Sequence, residues 1–346
     1  MHKVPSASRV GHALLVGIAL GACGGGSGTS GATGTGGVDA GEHLQLPGID
    51  AARDDADRTP PSRNDGATEQ IDAGGTESGS PAMSGNASTP VVPSPTGACP
   101  TFANGTVTFN PAGIPSRSAA VYMTDAATTM HGPLIFYWYA TGSGTFEAPY
   151  ALGATLASIE AAGGIVVVPE ADPTAGEFNW FIVNGSPKLD DFLVADEIVA
   201  CAAKGTAVDT THIHAMGMSA GALQTTAMSF MRSSYVASVT TYSGGMPPGF
   251  TPMIEDPSNK FAALIFDGGS TDDVYGVDFQ AASELYMTTL QGTGHFAAIC
   301  DHGMGHNIPV AAAPSVALFF QANGFGVSPS PYAAGLPSSF PSYCML

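Results

Sequence analysis

The sequence predicts an α/β fold with a mostly parallel, doubly wound sheet. Two observations predict it. Short unbroken apolar runs alternate with helix-compatible stretches along residues 130–322, and the residues with chemical potential fall in the loops that directly follow those runs. Apolar runs without polar alternation suit strands buried on both faces. Their alternation with helices gives parallel crossovers, whose functional sites lie beyond the carboxyl ends of the strands.

In chain order, residues 1–23 have the build of an export signal. Lys3 and Arg9 precede the apolar run 13–20, which is too short to span a membrane as a mature helix. The run ends Leu20-Gly21-Ala22-Cys23, which resembles a bacterial lipobox, so Cys23 is the expected lipidation site. Residues 24–98 are rich in Gly, Ser, Thr, Pro and Asp and almost free of aromatic residues. Such a segment cannot bury enough apolar surface to offset its ordering entropy, so a flexible tether is expected. Residues 99–346 are the expected catalytic body. Within it, 101–123 supplies one or two antiparallel edge strands. The six apolar runs are 133–139, 165–169, 211–216, 237–242, 261–266 and 295–300. Helices are expected at 150–162, 189–203, 221–232, 278–290 and 310–322. No long insertion separates the fourth run from the fifth, so no large lid is expected.

Composition narrows the function classes. Ten Lys and Arg stand against 29 Asp and Glu, for a formal charge of −19. Such a chain is not expected to bind nucleic acid, or an anionic membrane through its body. Membrane contact is expected only through the lipid anchor. Gly24 is not the aspartate associated with inner-membrane retention, so an extracytoplasmic, outer-membrane location is expected. Besides Cys23 there are four cysteines, Cys99, Cys201, Cys300 and Cys344. An even number in an exported chain implies two disulfides with three possible connectivities. Cys99–Cys201 with Cys300–Cys344 is the favoured pairing. No dinucleotide fingerprint or phosphate loop occurs, so no cofactor is expected, and a monomer is expected.

The motif that carries chemistry is Gly217-Met218-Ser219-Ala220-Gly221. It sits between an apolar run and a helix-compatible stretch, which is the context of a nucleophile elbow. The turn is so tight that side chains two residues either side of the serine would collide, and glycine removes them. Free N–H groups of the helix that follows suit a developing oxyanion. The fifth run is followed by Asp267-Gly268-Gly269-Ser270-Thr271-Asp272-Asp273. The sixth is followed by Asp301-His302-Gly303-Met304-Gly305-His306. Histidine is the base this chemistry needs, because its pKa near 6.5 lets it take and return the serine proton. Asp272, Asp273 and Asp267 are all placed to be the acid, and His306 or His302 to be the base. His212 and His214 alternate on one strand face, with no carboxylate or cysteine at ligand spacing. They read as structural histidines, and no metal is expected.

The chain resembles the extracellular esterases grouped with polyhydroxybutyrate depolymerases and feruloyl esterases, which have the α/β-hydrolase fold. The matching pieces are Pro133-Leu134-Ile135, Phe178-Asn179-Trp180-Phe181, Asp190-Asp191, the serine loop, Tyr242-Ser243-Gly244-Gly245, the turn ending at Asp272, and Gly305-His306 with Pro309. The resemblance covers about residues 130–310. It implies Ser219 as nucleophile, Asp272 as acid and His306 as base, acting on an ester or polyester. Feruloyl or acetyl esters of carbohydrate, then amide bonds, are the rival substrates. One departure stands out: where the family has His-Gly after the first run, this chain has Tyr139-Ala140-Thr141-Gly142. Backbone N–H groups of Thr141 and Ala220 are the expected oxyanion donors. The missing glycine leaves the local backbone path open, and with it a non-catalytic surface-binding lipoprotein as a further rival. Trp180, Tyr139 and Met218 are the expected substrate contacts.

Overall fold

A computed structural model describes residues 89–346. The expected signal, Cys23 and the tether as far as residue 88 lie outside the described residues. One nine-stranded sheet has the order β1 (Gly105–Phe109), β2 (Arg117–Tyr122), β4 (Ile165–Pro169), β3 (Leu134–Trp138), β5 (Ile213–Met218), β6 (Ser238–Tyr242), β7 (Ala262–Asp267), β10 (Phe296–Asp301) and β11 (Cys344–Met345). Strands β8 (Asp273–Val274) and β9 (Val277–Asp278) form a separate hairpin. The six central strands are parallel. β1, β2 and β11 are the antiparallel edges. Every residue of β3 through β7 is buried, which is what the unbroken apolar runs required. This is the α/β-hydrolase fold.

The helices are α1 (Glu147–Leu152), α2 (Ala154–Ala161), α3 (Asp190–Gly205), α4 (Ala220–Met231), α5 (Phe279–Gly292) and α6 (Ala313–Ala322). The single helix expected at 150–162 is therefore two. Gly153 ends one and begins the other at φ 51°, ψ −134°, a backbone conformation that side chains disfavour. The helix expected from 310 begins at Ala313, after a 3-10 turn at Val310–Ala312. The connection from β6 to β7 carries no helix, and no lid is inserted there.

Strand order fixes where chemistry can occur. From β3 the chain moves to β4 on one side, then returns past β3 to β5 on the other. The direction of winding thus reverses between β3 and β5. Right-handed crossovers then put α1 and α2 on one face of the sheet, and α3, α4 and α5 on the other. Helix α6 packs against α1 and α2. A crevice opens beyond the carboxyl ends of β3 and β5, where Trp138 and Gly217 are in register.

Both disulfides of the favoured pairing form, Cys99–Cys201 and Cys300–Cys344. Disulfides form and persist in oxidising compartments, which agrees with the expectation of an exported chain. Among the described residues no helix is long and apolar enough to cross a membrane. The body begins upstream of the expected boundary at residue 99. The buried Glu197 carboxylate accepts from the N–H and hydroxyl of Thr96 and from Gly97 N–H, and Val91 N–H donates to Ser234 O. A polar-looking leader is held because it satisfies a buried charge that would otherwise be unpaired.

Candidate active site

Ser219 joins β5 to α4 at φ 57°, ψ −122°. A non-glycine residue there stores strain, on the order of 1–3 kcal/mol, and such strain is concentrated at functional sites. Its N–H is fixed to Tyr242 O on β6 at 2.9 Å. The flanking glycines are required by close approach. A Cβ on Gly217 or on Gly221 would overlap the Trp138 carbonyl at the end of β3. The strand after which Ser219 turns is therefore pressed against the strand that leads into the facing loop.

Asp272 ends a 3-10 turn, Gly269–Thr271, that follows β7. The turn carries its carboxyl back beneath the sheet edge, where it is 1% exposed. Oδ2 accepts from Ser243 Oγ at 2.7 Å and from Gly268 N–H at 2.9 Å, and Oδ1 meets His306 Nδ1 at 2.7 Å. Burial works to raise this pKa, but hydrogen bonds from His306, Ser243 and Gly268 outweigh it and hold the carboxyl below its ordinary value. An ionised carboxylate only accepts, so His306 Nδ1 carries the hydrogen and Nε2 keeps its lone pair. The imidazole also packs on the Phe279 ring, with centroids 4.8 Å apart.

The other candidates are placed elsewhere. Asp273 is exposed and pairs with Asp278 in the β8–β9 hairpin. Asp267 is the buried last residue of β7. Its carboxylate accepts from Gly269 N–H, and burial pushes its pKa up to about 6. His302 shapes its own loop: Nδ1 accepts from Met304 N–H, and its backbone N–H donates to Asp267 O.

The loop after β3 is held by three side chains from other segments. The Glu147 carboxylate accepts from Ala140 N–H at 3.1 Å and from Tyr137 Oη at 3.0 Å. Asn179 Nδ2 donates to Ala140 O at 2.9 Å, and Trp180 Nε1 to Tyr139 O at 3.0 Å. These bonds fix the path that the missing glycine left open. They also show which N–H remains. Ala140 N–H is taken, while those of Thr141 and Ala220 have no acceptor among the described residues. Thr141 Oγ1 is likewise buried without a partner.

The three residues expected to contact substrate are all buried. Trp180 is fully buried, edge-on to Trp138 and Tyr139, and its indole N–H is spent on the loop. Tyr139 is also buried, its hydroxyl accepting from Ala171 N–H, and Met218 is buried within β5. Large rings in this loop anchor the backbone because the indole and phenol can bury area and still satisfy a polar atom. Exposed apolar residues in segments following β3, β7 and β10 include Phe146, Tyr150, Tyr275 and Met304. Tyr275, at the tip of the β8–β9 hairpin, meets the Phe178 ring at 5.5 Å.

Sequence reasoning missed Glu147, Ser243 and Asn179 as supports. Ser243 and Asn179 lie inside matched pieces, which was a usable signal. Glu147 had none, because its bonds join a helix start to a loop. A buried Arg117 fork, 3.0 Å from both Asp172 and Asp191, ties β2 to the segment bearing Asn179 and Trp180. This gives Asp191 of the matched Asp190-Asp191 pair a structural role.

His212 and His214 share a strand face as expected. His212 Nδ1 meets Asp209 Oδ2 at 2.8 Å, and His214 Nδ1 meets Ser238 Oγ at 2.9 Å. The one group with metal-ligand spacing among the described residues is Cys99, Glu197 and Cys201, whose two sulfurs are joined in the disulfide.

No family model matches this sequence, and no curated protein matches it. Solved structures do resemble it. A protein named pOPH is 14% identical with a TM-score of 0.56, covering 72% of this chain and 96% of its own. A serine-to-alanine variant of pOPH is known in complex with pNPB. A protein named sOPH is 16% identical with a TM-score of 0.53, covering 72% of this chain and 96% of its own. A thermostable esterase is 14% identical with a TM-score of 0.49, covering 63% of this chain and 62% of its own. At these identities the likeness is one of fold.

Proposed function

We propose that this chain is a serine ester hydrolase. One observation supports the reading: a strained Ser219 follows β5, and a hydrogen-bonded Asp272–His306 pair comes from the loops after β7 and β10, on the same edge of the parallel sheet. His306 Nε2 takes the Ser219 proton as Oγ attacks the ester carbonyl carbon. The resulting oxyanion is held by the N–H groups of Ala220 and Thr141, with the Thr141 hydroxyl beside them. The C–O bond then breaks, and the leaving alcohol takes the proton from His306. Water, deprotonated by His306, attacks the acyl-enzyme carbonyl and releases the acid and Ser219. Asp272 stays ionised and steadies the imidazolium throughout.

The substrate we favour is a polyester or oligoester of hydroxyalkanoate type. Support comes from the absence of an inserted lid between β6 and β7, from the exposed apolar side chains Phe146, Tyr150, Tyr275 and Met304 in segments following β3, β7 and β10, and from the sequence resemblance. A flexible polymer segment can lie across such side chains without entering a deep cavity. Esters of plant polysaccharide are the next reading, since feruloyl esters also present an apolar ring. The disulfides agree with an exported enzyme, and Cys23 is the residue that would anchor it by lipid to the cell envelope.

The test is hydrolysis of p-nitrophenyl acetate and butyrate by the mature protein and by Ser219→Ala. The variant is expected to lose about 10⁵-fold in kcat/KM, about 7 kcal/mol of transition-state stabilisation. Equal rates in the two proteins would overturn the assignment of Ser219. If the wild type hydrolyses the small esters, release of acid from polyhydroxybutyrate film against feruloylated xylan separates the two substrate classes.

A further inference from the structure

Among the described residues, three other than glycine have φ in the left-handed region: Ser219, Ser243 and Tyr275. The first is the nucleophile, and the second donates to Asp272. The third, Tyr275, shares the two-residue loop of the β8–β9 hairpin with Gly276, at φ 56° and 74°. Loops with positive φ at both positions favour Asn-Gly. A bulky residue at the first position is an outlier, and such strain is concentrated at functional sites. The Tyr275 side chain is 62% exposed, so burial does little to offset the strain.

The ring meets Phe178 edge-on, with centroids 5.5 Å apart and planes at 85°. The two rings come from opposite walls. Phe178 directly precedes Asn179 and Trp180, whose side chains bind the loop after β3. Its own N–H and C=O are both held by the Asn184 side chain, and the 3-10 turn Ile182–Asn184 packs on α4. Tyr275 stands three residues after Asp272, and Phe279 N–H donates to Asp272 O at the base of the hairpin. In the sheet, β5 and β6 lie between β3 and β7. The contact therefore joins the oxyanion side to the acid side, across the carboxyl ends of β5 and β6, where Ser219 turns. Both rings are fixed from below, one by Asn184 and the other by a short hairpin.

We propose that Phe178 and Tyr275 form an aromatic bridge that sets the acyl specificity of this site. It admits acids that are slender beside the carbonyl and bars those branched there. Its role presupposes the ester hydrolysis proposed above. An ester carbonyl at Ser219 puts the neighbouring acyl carbon between the two walls that the bridge joins. A CH2 at that carbon, as in a 3-hydroxyalkanoate, fits beside the rings, and a quaternary carbon meets them. A pocket discriminates by about 10–200-fold on a single methylene.

The test compares p-nitrophenyl butyrate with p-nitrophenyl pivalate, which share a leaving group and differ in branching beside the carbonyl. In Tyr275→Asn the ratio of kcat/KM for pivalate to that for butyrate is expected to rise about tenfold or more. Asn suits the positive φ, so the thermal unfolding midpoint is expected to stay level or rise. Phe178→Ala removes the other ring and is expected to raise the ratio likewise, while Tyr275→Phe keeps both rings and the wild-type ratio. An unmoved ratio in folded Tyr275→Asn overturns the bridge, and a lower midpoint beside it would show a ring that only packs. A rise in Tyr275→Asn that folded Phe178→Ala does not share also overturns it, because the filter would then be Tyr275 alone. Wild-type hydrolysis of butyrate with the ratios unmoved leaves the esterase reading standing without the bridge. Hydrolysis of neither ester by the wild type overturns both.

Discussion

The two ends of β5 place polar groups under opposite conditions. Beyond the carboxyl end, both oxygens of Asp272 are engaged. It accepts from Ser243, Gly268 and His306, and the loop opposite is pinned by Glu147, Asn179 and Trp180. At the amino end, His214 is wholly buried, with Nδ1 bonded to Ser238 and Nε2 without a partner among the described residues. The comparison shows what each arrangement does. A closed network fixes atoms where charge will develop, which is what preorganised catalysis needs. An incomplete one leaves a buried polar atom unpaired, which costs stability.

Substitutions on each side sharpen this contrast. The largest effect is expected at Asp272. Asp272→Asn keeps the shape but can present an amide to His306 and so favour the wrong tautomer. Ester hydrolysis is expected to fall about 10⁴-fold in kcat, as triads of this kind do when the acid is amidated. The loss should appear in steady-state rates with little change in the thermal unfolding midpoint.

Glu147 comes next. Glu147→Ala strips the partner from Ala140 N–H and from the buried Tyr137 hydroxyl. The Thr141 donor then loses its fixed position, and kcat is expected to fall about 10–100-fold with KM nearly constant, the mark of an interaction made in the transition state. Glu147→Gln, whose Oε1 can still accept from Ala140, should recover part of the rate. A parallel rise in KM would instead mean that the loop serves ground-state binding.

Asp267 tests a charge near the catalytic end that the network does not use. Its folded pKa of about 6 lies above the unfolded value, so the fold disfavours the ionised form. The native state binds more protons between about pH 4 and pH 6, and this group's contribution makes stability fall as pH rises through that window. Asp267→Asn keeps the bond from Gly269 and removes the penalty. It is expected to stabilise by about 1–2 kcal/mol at pH 7.5 and by little at pH 4, read from denaturant midpoints at both values.

The smallest effect is expected at the amino end. His214→Phe keeps the stack on Phe320 and removes the unpartnered nitrogen, at the cost of one bond to Ser238. Those changes oppose each other, and the unfolding midpoint is expected to move by less than about 3 °C. A loss as large as a fully bonded buried group causes would show that Nε2 has a partner in solution.

Much of this was legible in the sequence. The runs at 133–139, 165–169 and 211–216 became β3, β4 and β5 because a strand buried on both faces has no polar positions to blur it. Gly217 and Gly221 announced the elbow because only glycine fits against the Trp138 carbonyl. The cysteines paired as favoured. The rest was hidden for specific reasons. Gly153 split one helix into two through a dihedral that composition does not display. Trp180 stood in a polar loop and looked like a cleft residue, yet it is buried because its indole reaches across to Tyr139 O. Thr96 and Gly97 looked like tether, yet they satisfy Glu197 from a hundred residues away.

By itself the sequence determined the order of strands and helices, the bend at Ser219, and the arrival of an acid and a histidine on the same sheet edge. Those are local matters, set by hydrophobic period, glycine and chain direction. Only the tertiary structure decided which of three neighbouring carboxylates meets His306, which N–H groups remain free in the loop after β3, and which histidine nitrogens are buried without a partner. Each of those depends on hydrogen bonds between segments distant in the chain, and no local pattern encodes which partner a buried polar atom will reach.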